Sequence, residues 1–234
     1  MSDLADAFAT ALHMLLSRDP ELAEIVALSL RVSGSALLLA AGLGLPLGAW
    51  LGIARFPGRG VVVAFSNALL GLPAVVVGLL VYLVLSRSGP LGPLGLLFEP
   101  TAMVIAQTVL ITPLVVALTR QASEDLYGEY GEQLRALGAS TLRAIPTLLY
   151  EGRFALATVL LAGFGRAIAE VGAVLIVGGN IAHVTRVMTT AIALETSRGE
   201  LAIALGLGLL LLSLSLAVSA SAELIRRITL RAGA

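Results

Sequence analysis

The 234-residue chain contains no cysteine and no lysine. The absence of cysteine excludes disulfides, thiolate metal sites, iron–sulfur ligation and thiol catalysis. The absence of lysine excludes a Walker A phosphate loop, because the lysine of that loop contacts the nucleotide phosphates. If the work of this protein consumes ATP, the hydrolysis therefore takes place on another chain.

Charge and histidine are also scarce. Only 13% of the residues are charged, against about 25% in soluble domains, and the formal net charge is zero. A neutral chain lacks the basic surface that neutralises phosphates, so nucleic acid is not an expected partner. The two histidines, His13 and His183, are too few and too far apart to form a zinc cluster. Neither lies in an apolar stretch where it could activate a serine, which argues against a membrane-embedded hydrolase.

Apolar residues dominate the chain, at 58% of the total and a mean hydropathy of +0.97. A helix needs about 20 apolar residues to cross the hydrocarbon layer. Five stretches are long enough, namely residues 32–54, 60–86, 100–119, 154–179 and 201–222. The sequence therefore predicts an all-α integral membrane protein with about five transmembrane helices, forming a single domain over residues 1–234.

The arginines predict the orientation, because short cytoplasmic loops hold an excess of positive charge. With the N-terminus outside, nine arginines fall on the cytoplasmic side: Arg55, Arg59, Arg120, Arg135, Arg143, Arg153, Arg226, Arg227 and Arg231. Four fall on the outer side: Arg18, Arg87, Arg186 and Arg198. This distribution favours an N-out, C-in topology.

The first residues and the first apolar stretch carry helical patterns. Residues 1–20 repeat apolar side chains at helical spacing, which suits a helix lying in the membrane interface, and a frayed tail fits equally well. Gly44, Gly48 and Gly52 are four residues apart, so another helix can approach closely along them. Pro46 and Pro73 lie inside the first and second stretches, where we expect kinks.

A charge-rich segment at residues 120–152 separates the third and fourth stretches and is expected to be cytoplasmic. Its pattern predicts a short helix up to Leu137, a positive φ angle at Gly138, and a new helix capped by Ser140 or Thr141. An apolar surface on it comprises Leu134, Leu137, Leu142, Ile145 and Leu148. Docking onto a soluble partner and packing on its own bundle both fit this pattern.

Part of this segment resembles the EAA loop of binding-protein-dependent ABC transporter permeases. Glu132 precedes Gly138 by six residues, and Ala139-Ser140 follow that glycine. Gln133 and Leu134 stand where the motif has its two alanines. In that family the loop forms coupling helices that sit in a cleft of the cytoplasmic ATPase. The resemblance implies ATPase-coupling roles for Glu132, Arg135, Leu137, Gly138, Ala139, Leu142 and Arg143.

A second resemblance covers most of the chain and is strongest between residues 163 and 200. The stretches GFGRAIAEVGA at 163–173, VGGNI at 177–181 and TRVMTTAI at 185–192 resemble the permease subunits of tungstate ABC importers, which are close kin of molybdate permeases. This implies a type I importer permease fold in the cell membrane, working as a homodimer with two ATPase subunits and an extracytoplasmic oxyanion-binding protein. ATP and Mg would bind to the ATPase, leaving no cofactor on this chain. The alternatives are a molybdate or sulfate permease, or a structural or assembly protein of the membrane.

Two features of this region are candidate functional sites. Arg166 and Glu170 lie four residues apart inside the fourth stretch, where they can pair or line an anion path. Structural pairing is favoured, because Glu170 would repel a tetrahedral dianion and a strong anion site would oppose release. Asn180 follows at the outer end, and residues 180–199 form an expected outer loop with a helix around residues 189–194. In the family such loops face the binding protein, which suggests docking through Arg186, Thr189 and Thr190; a simple re-entrant connection is the alternative.

Overall fold

The computed structural model describes residues 20–232 of the chain. Of the leader predicted at residues 1–20, only Pro20 lies among them, where it begins the first helix; His13 lies outside. The described residues fold into helices joined by short turns and contain no strand. The predicted all-α class is confirmed.

Nine α-helices follow one another between residues 20 and 232. They are α1 (Pro20–Ile53), α2 (Arg59–Ala68), α3 (Ala74–Leu85), α4 (Pro100–Ala136), α5 (Thr141–Glu151), α6 (Arg153–Ile168), α7 (Gly172–Gly178), α8 (Met188–Arg198) and α9 (Leu201–Ala232). Short 3-10 turns at Leu69–Gly71 and Gly92–Leu94 lie between α2 and α3 and between α3 and α4.

Three of these helices, α1, α4 and α9, are long and apolar enough to cross a membrane. Two sharply bent helix pairs, α2 with α3 and α5 with α6, raise the number of candidate spans to as many as five. The most apolar window of α4 is 50% buried and that of α9 only 17%. α4 is therefore an interior helix, whereas α9 leaves most of its apolar surface open.

The second and fourth predicted stretches are not single helices. The second is interrupted at residues 72–73, where Pro73 has no backbone N–H to continue a helix. The bend expected there is confirmed. The fourth breaks at residues 169–171, between α6 and α7. Pro46, by contrast, lies within α1, which continues through it.

The charged segment at residues 120–152 also differs from the prediction. Its first part is not a separate short helix, because α4 continues from the apolar stretch without interruption to Ala136. A four-residue turn then leads into α5, and α5 meets α6 at a bend of 77°. The predicted loop is therefore a helical hairpin, formed by the end of α4, the turn and α5.

The chain packs as two compact units, each assembled from stretches that are separated in the sequence. The first unit contains residues 20–35, 74–107 and 166–217; the second contains residues 36–73, 108–165 and those from 218 onward. Because the stretches of the two units alternate along the chain, neither unit is formed by one continuous segment of the sequence.

Inside the second unit, α1 and α4 touch along the predicted glycine strip. A Cβ atom on Gly48 would lie 2.6 Å from the carbonyl oxygen of Val116, and one on Gly52 would lie 2.8 Å from that of Arg120. Distances this short are incompatible with a side chain, so these positions require glycine. The expected close approach is confirmed, and the partner is a helix of the same chain.

The absence of cysteine makes the predicted orientation directly testable. Ser88, between α3 and α4, and Ser140, at the start of α5, are both exposed. In intact cells we expect Ser88→Cys to react with a membrane-impermeant thiol reagent and Ser140→Cys to react only after permeabilisation. Ser123→Cys is the internal control that should resist labelling throughout, because Ser123 is buried against Gly52. The opposite pattern at Ser88 and Ser140 would contradict the N-out topology.

Candidate functional site

The break between α6 and α7 is organised by the buried carboxylate of Glu170. One of its oxygens, Oε2, lies 3.2 Å from Nη1 of Arg166, in the last turn of α6. The other, Oε1, accepts a hydrogen bond of 3.1 Å from the backbone N–H of Ala173, in the first turn of α7. A carboxylate is favoured at a helix N-terminus, where backbone N–H groups have no helical partner. Glu170 therefore joins the end of one helix to the start of the next.

The backbone carbonyls at this break are satisfied by side chains from other elements. Oγ1 of Thr189 donates to the carbonyl oxygen of Glu170 at 2.7 Å. Nε2 of Gln107, on α4, donates to the carbonyl oxygen of Ala167 at 3.0 Å. Within an apolar layer such groups must find partners inside the protein, so both contacts stabilise the break.

The predicted Arg166–Glu170 pair is present, but its two members differ strongly in burial. The side chain of Glu170 is 3% exposed and that of Arg166 is 46% exposed. Both carboxylate oxygens are engaged, whereas the guanidinium group has further N–H donors. The geometry assigns Glu170 a structural role. A contact between Arg166 and a passing anion stays a prediction.

Asn180 lies in a tight left-handed turn at the end of α7. Gly179 and Asn180 have φ angles of 71° and 51°, a conformation open to glycine and tolerated by asparagine. The hydroxyl of Thr185 closes this turn by donating to the carbonyl oxygen of Gly178 and accepting from the N–H of Ile181. Sequence reasoning missed Thr185, although a threonine soon after a glycine pair is a signal for such a turn. The place of Asn180 on a translocation path stays a prediction.

Two contacts between ionisable side chains join the segment after this turn to the first turns of α1. Nδ1 of His183 lies 2.8 Å from Oε2 of Glu24, and Nη1 of Arg186 lies 3.4 Å from Oε1 of Glu21. The hydrogen bond and the negative charge of Glu24 raise the pKa of His183 above its ordinary value, so its charged form persists to higher pH. His183 is exposed, and Glu24 is a partner that the sequence did not identify.

Two of the three residues expected to contact a binding protein are buried in the structure. Thr189 and Thr190, at the start of α8, are buried. Thr189 bonds to Glu170, and the hydroxyl of Thr190 both accepts from the N–H of Val187 and donates to its carbonyl oxygen. Their side chains therefore stabilise the fold and do not form a surface. Arg186 remains partly exposed, so the docking hypothesis rests on it.

The hairpin between α4 and α5 turns at Gly138, as predicted. Gly138 has a φ angle of 73°. Its N–H bonds to the carbonyl oxygen of Arg135, and the N–H of Ala139 bonds to that of Leu134, both at 2.9 Å. This pair of bonds is the Schellman ending of a helix, in which glycine provides the left-handed residue. Ser140 precedes α5 as predicted, but its side chain makes no capping hydrogen bond.

The apolar residues of the hairpin divide into two groups. Leu134, Ile145 and Leu148 pack into a core cluster that includes Ile53, at the end of α1. Leu137 and Leu142 flank the turn and are 83% and 70% exposed. The charged residues expected beside them, Glu132, Arg135 and Arg143, are exposed as well. The hairpin thus packs on its own bundle through one face and leaves an apolar tip open.

Sequence reasoning also missed a charged cluster that joins α1, α2 and α4. The carboxylate of Glu124 accepts hydrogen bonds from Arg59 and, at 2.6 Å, from Arg120. Nε of Arg59 additionally donates to the carbonyl oxygen of Leu51 at 2.9 Å, which satisfies the last turn of α1. The signal available in the sequence is that all three charges lie just beyond apolar stretches.

The unequal burial of Arg166 and Glu170 predicts an unequal response to mutation. Arg166→Gln leaves a buried carboxylate without its counter-charge and should cost about 1–3 kcal/mol of stability. Glu170→Gln leaves a half-exposed arginine and retains an oxygen for Ala173, so it should cost only about 1 kcal/mol. The double variant should recover much of the loss seen in Arg166→Gln. Thermal unfolding of the purified variants in detergent measures the three values, and equal losses in both single variants would contradict the structural role.

Comparison with known proteins identifies the family. Residues 44–229 match the family model described as "Binding-protein-dependent transport system inner membrane component". The tungstate uptake system permease protein TupB of Peptoclostridium acidaminophilum is 42% identical over 86% of this chain and 88% of its own length. A probable anion ABC transporter permease protein of Haloferax volcanii is 43% identical over 77% of this chain and 80% of its own. The molybdenum transport system permease protein ModB of Escherichia coli K12 is 32% identical over 80% and 85%. The chain therefore belongs to the family of inner-membrane permease components of binding-protein-dependent ABC transport systems.

Proposed function

We propose that this permease carries a tetrahedral oxyanion, tungstate, across the cell membrane. The observation that carries the choice of ion is the 42% identity, over 86% of the chain, to a permease named for tungstate uptake. The permeases named for molybdenum and for sulfate transport are less similar, at 30–32% and 30–31% identity. On this proposal, an extracytoplasmic oxyanion-binding protein delivers the ion.

Two ATPase chains power the transport in this proposal. The chain has no lysine for a phosphate loop, so it does not supply the nucleotide site itself. The hairpin offers an exposed apolar tip formed by Leu137, Gly138 and Leu142, which suits insertion into a cleft of a soluble partner. Its opposite face is anchored in the core by Leu148, so movement of the tip would be transmitted to α1 through Ile53.

The working form is proposed to be a homodimer. The open apolar surface of α9 supports this, because only 17% of its most apolar window is buried within the chain. Leu212 and Leu216 are among the exposed side chains on that helix. Lipid and a second copy of the chain can share such a surface, and a translocation pathway between two copies needs part of it.

The choice of ion is tested by metal accumulation in cells. A strain deleted for this chain should accumulate less tungsten from medium containing trace tungstate, and plasmid-borne chain should restore it. Cell-associated tungsten and molybdenum are measured by mass spectrometry, with excess sulfate as a competitor. Loss of molybdenum without loss of tungsten would assign the permease to molybdate, and competition by sulfate would assign it to sulfate. Unchanged contents of both metals after deletion would contradict import of tungstate and of molybdate by this chain.

The exposed tip of the hairpin should be required for ATPase coupling. Leu137→Ser and Leu142→Ser remove apolar surface that contacts nothing within the core cluster, so both variants should fold and reach the membrane normally. We expect each to lose most of the ATPase recovered by pull-down and most of the substrate-stimulated ATP hydrolysis in proteoliposomes. Leu94→Ser, an exposed leucine in the turn between α3 and α4, is the matched control and should retain both.

Two substitutions at Gly138 test whether coupling depends on the positive φ angle of the turn or on the glycine itself. Nothing lies within 4 Å of a Cβ atom at this position, so only the positive φ angle opposes a side chain. Gly138→Val should be disfavoured by about 1 kcal/mol or more and should lose coupling, whereas Gly138→Asn should keep it, because asparagine tolerates this conformation. Full coupling in Gly138→Val, Leu137→Ser and Leu142→Ser would mean that the hairpin takes no part in ATPase coupling.

A further inference from the structure

The second unit contains an open cleft of about 430 Å³ where α1 ends and the far half of α4 begins. Its wall is formed by the end of α1, the turn into α2 and one face of α4. The charged side chains that line it are Arg55, Arg59, Glu124, Glu132 and Arg135. The resemblance to ABC permeases implies ATPase-coupling roles for Glu132 and Arg135, but it gives no role to Arg55, Arg59 or Glu124 and no ligand to the cleft itself.

The cleft holds a surplus of positive charge. Glu124 already accepts from two arginines, Arg59 and Arg120, so it cannot neutralise any further cation. The positive charges of Arg55 and Arg135 are then balanced by only one further carboxylate in the lining of the cleft, that of Glu132. Arginines brought together from separate segments are an arrangement that recognises anions, and phosphate-type oxyanions in particular.

Two of these arginines have N–H donors available. Arg55 is exposed, and among the described residues no hydrogen bond or ion pair engages its side chain. Arg135 makes a cation–π contact with the ring of Tyr127, 5.8 Å from the ring centre, which leaves the edge of its guanidinium group free. Arg59 differs, because it is used on the carbonyl oxygens of Leu51 and Gly52 and on Glu124.

The cleft lies where two candidate membrane helices leave their apolar stretches. α1 ends at Ile53, two residues before Arg55, and the first charges of α4 are Arg120 and Glu124. Trp50, in the last turn of α1, stacks on Phe56 with ring centroids 5.1 Å apart. Aromatic side chains beside arginines are typical of the membrane–water interface, which is the level of the lipid headgroups.

We propose that this cleft binds the phosphate group of an anionic phospholipid, with Arg55 and Arg135 as its principal donors. A free tetrahedral oxyanion offers the same chemistry to the two guanidinium groups. The position at the edge of the apolar layer selects the lipid, because its phosphate is held at that depth at high local concentration. A bound headgroup would join the end of α1 to the last turns of α4, directly before the turn at Gly138.

The test uses the full-length permease, stripped of lipid in a neutral detergent and titrated with phosphatidylglycerol or phosphatidylcholine under native mass spectrometry. We expect phosphatidylglycerol to bind more tightly than zwitterionic phosphatidylcholine. Arg55→Gln and Arg135→Gln should each weaken its binding about fivefold, and the double variant about twentyfold. Arg55→Lys should retain most of the affinity. Arg87→Gln, which removes an exposed arginine outside the cleft, is the matched control and should bind as the unmodified protein does.

A second arm replaces the lipid with inorganic phosphate or tungstate and measures binding to the same variants by calorimetry. Binding of these ions that depends on Arg55, with no binding of phosphatidylglycerol, would overturn the lipid and assign the cleft to a free oxyanion. Equal affinity of phosphatidylglycerol for Arg55→Gln, Arg87→Gln and the unmodified protein would overturn the site altogether. Arg55→Gln decides the matter even if Arg135→Gln unfolds, because no hydrogen bond or ion pair within residues 20–232 engages the side chain of Arg55.

Discussion

Backbone N–H and C=O groups in an apolar layer have no water to bond with, and this constraint explains where the chain places its buried polar side chains. Both ends of α7 in the first unit show this. Glu170 accepts from a backbone N–H of α7, Gln107 and Thr189 donate to carbonyl oxygens at the same break, and Thr185 donates to the last carbonyl oxygen of α7. In the second unit Arg59 donates to a carbonyl oxygen in the last turn of α1. These five side chains therefore bond to backbone groups at helix ends, where a helical partner is missing.

This constraint also decides how the intramembrane ion pair should be understood. Glu170 bonds to Arg166 through one carboxylate oxygen and to the backbone of α7 through the other, so its side chain joins the two helices that meet at the break. Arg166, half exposed and with unused donors, is the member of the pair that could meet an anion. The pair is thus asymmetric. Its buried half maintains the break between two helices, and its open half faces the surroundings of the chain.

The hairpin shows how one amphipathic pattern serves two surfaces. The sequence predicts that five apolar residues share one surface, and helical spacing alone cannot separate them, because positions three or four apart fall on one side of a helix. The turn at Gly138 reverses the chain, so residues close to the turn point away from the core and residues farther along pack into it. Of the two interpretations left open by the sequence, packing on its own bundle is confirmed for one face of the hairpin, and docking stays a prediction for the exposed residues beside the turn.

The sequence by itself determined the features that depend on local chain chemistry. Hydropathy determined the apolar stretches, spacing by four determined the glycine strip, and the lack of a Cβ atom predicted the positive φ angle of Gly138. Only the tertiary structure decided which polar residues are partners. Thr189 is buried against Glu170, nineteen positions away, and Glu24 meets His183 across 159 positions. Polarity indicates that such a side chain needs a hydrogen bond, but the partner is set by which segments the folded chain brings together, and no local pattern encodes that distance.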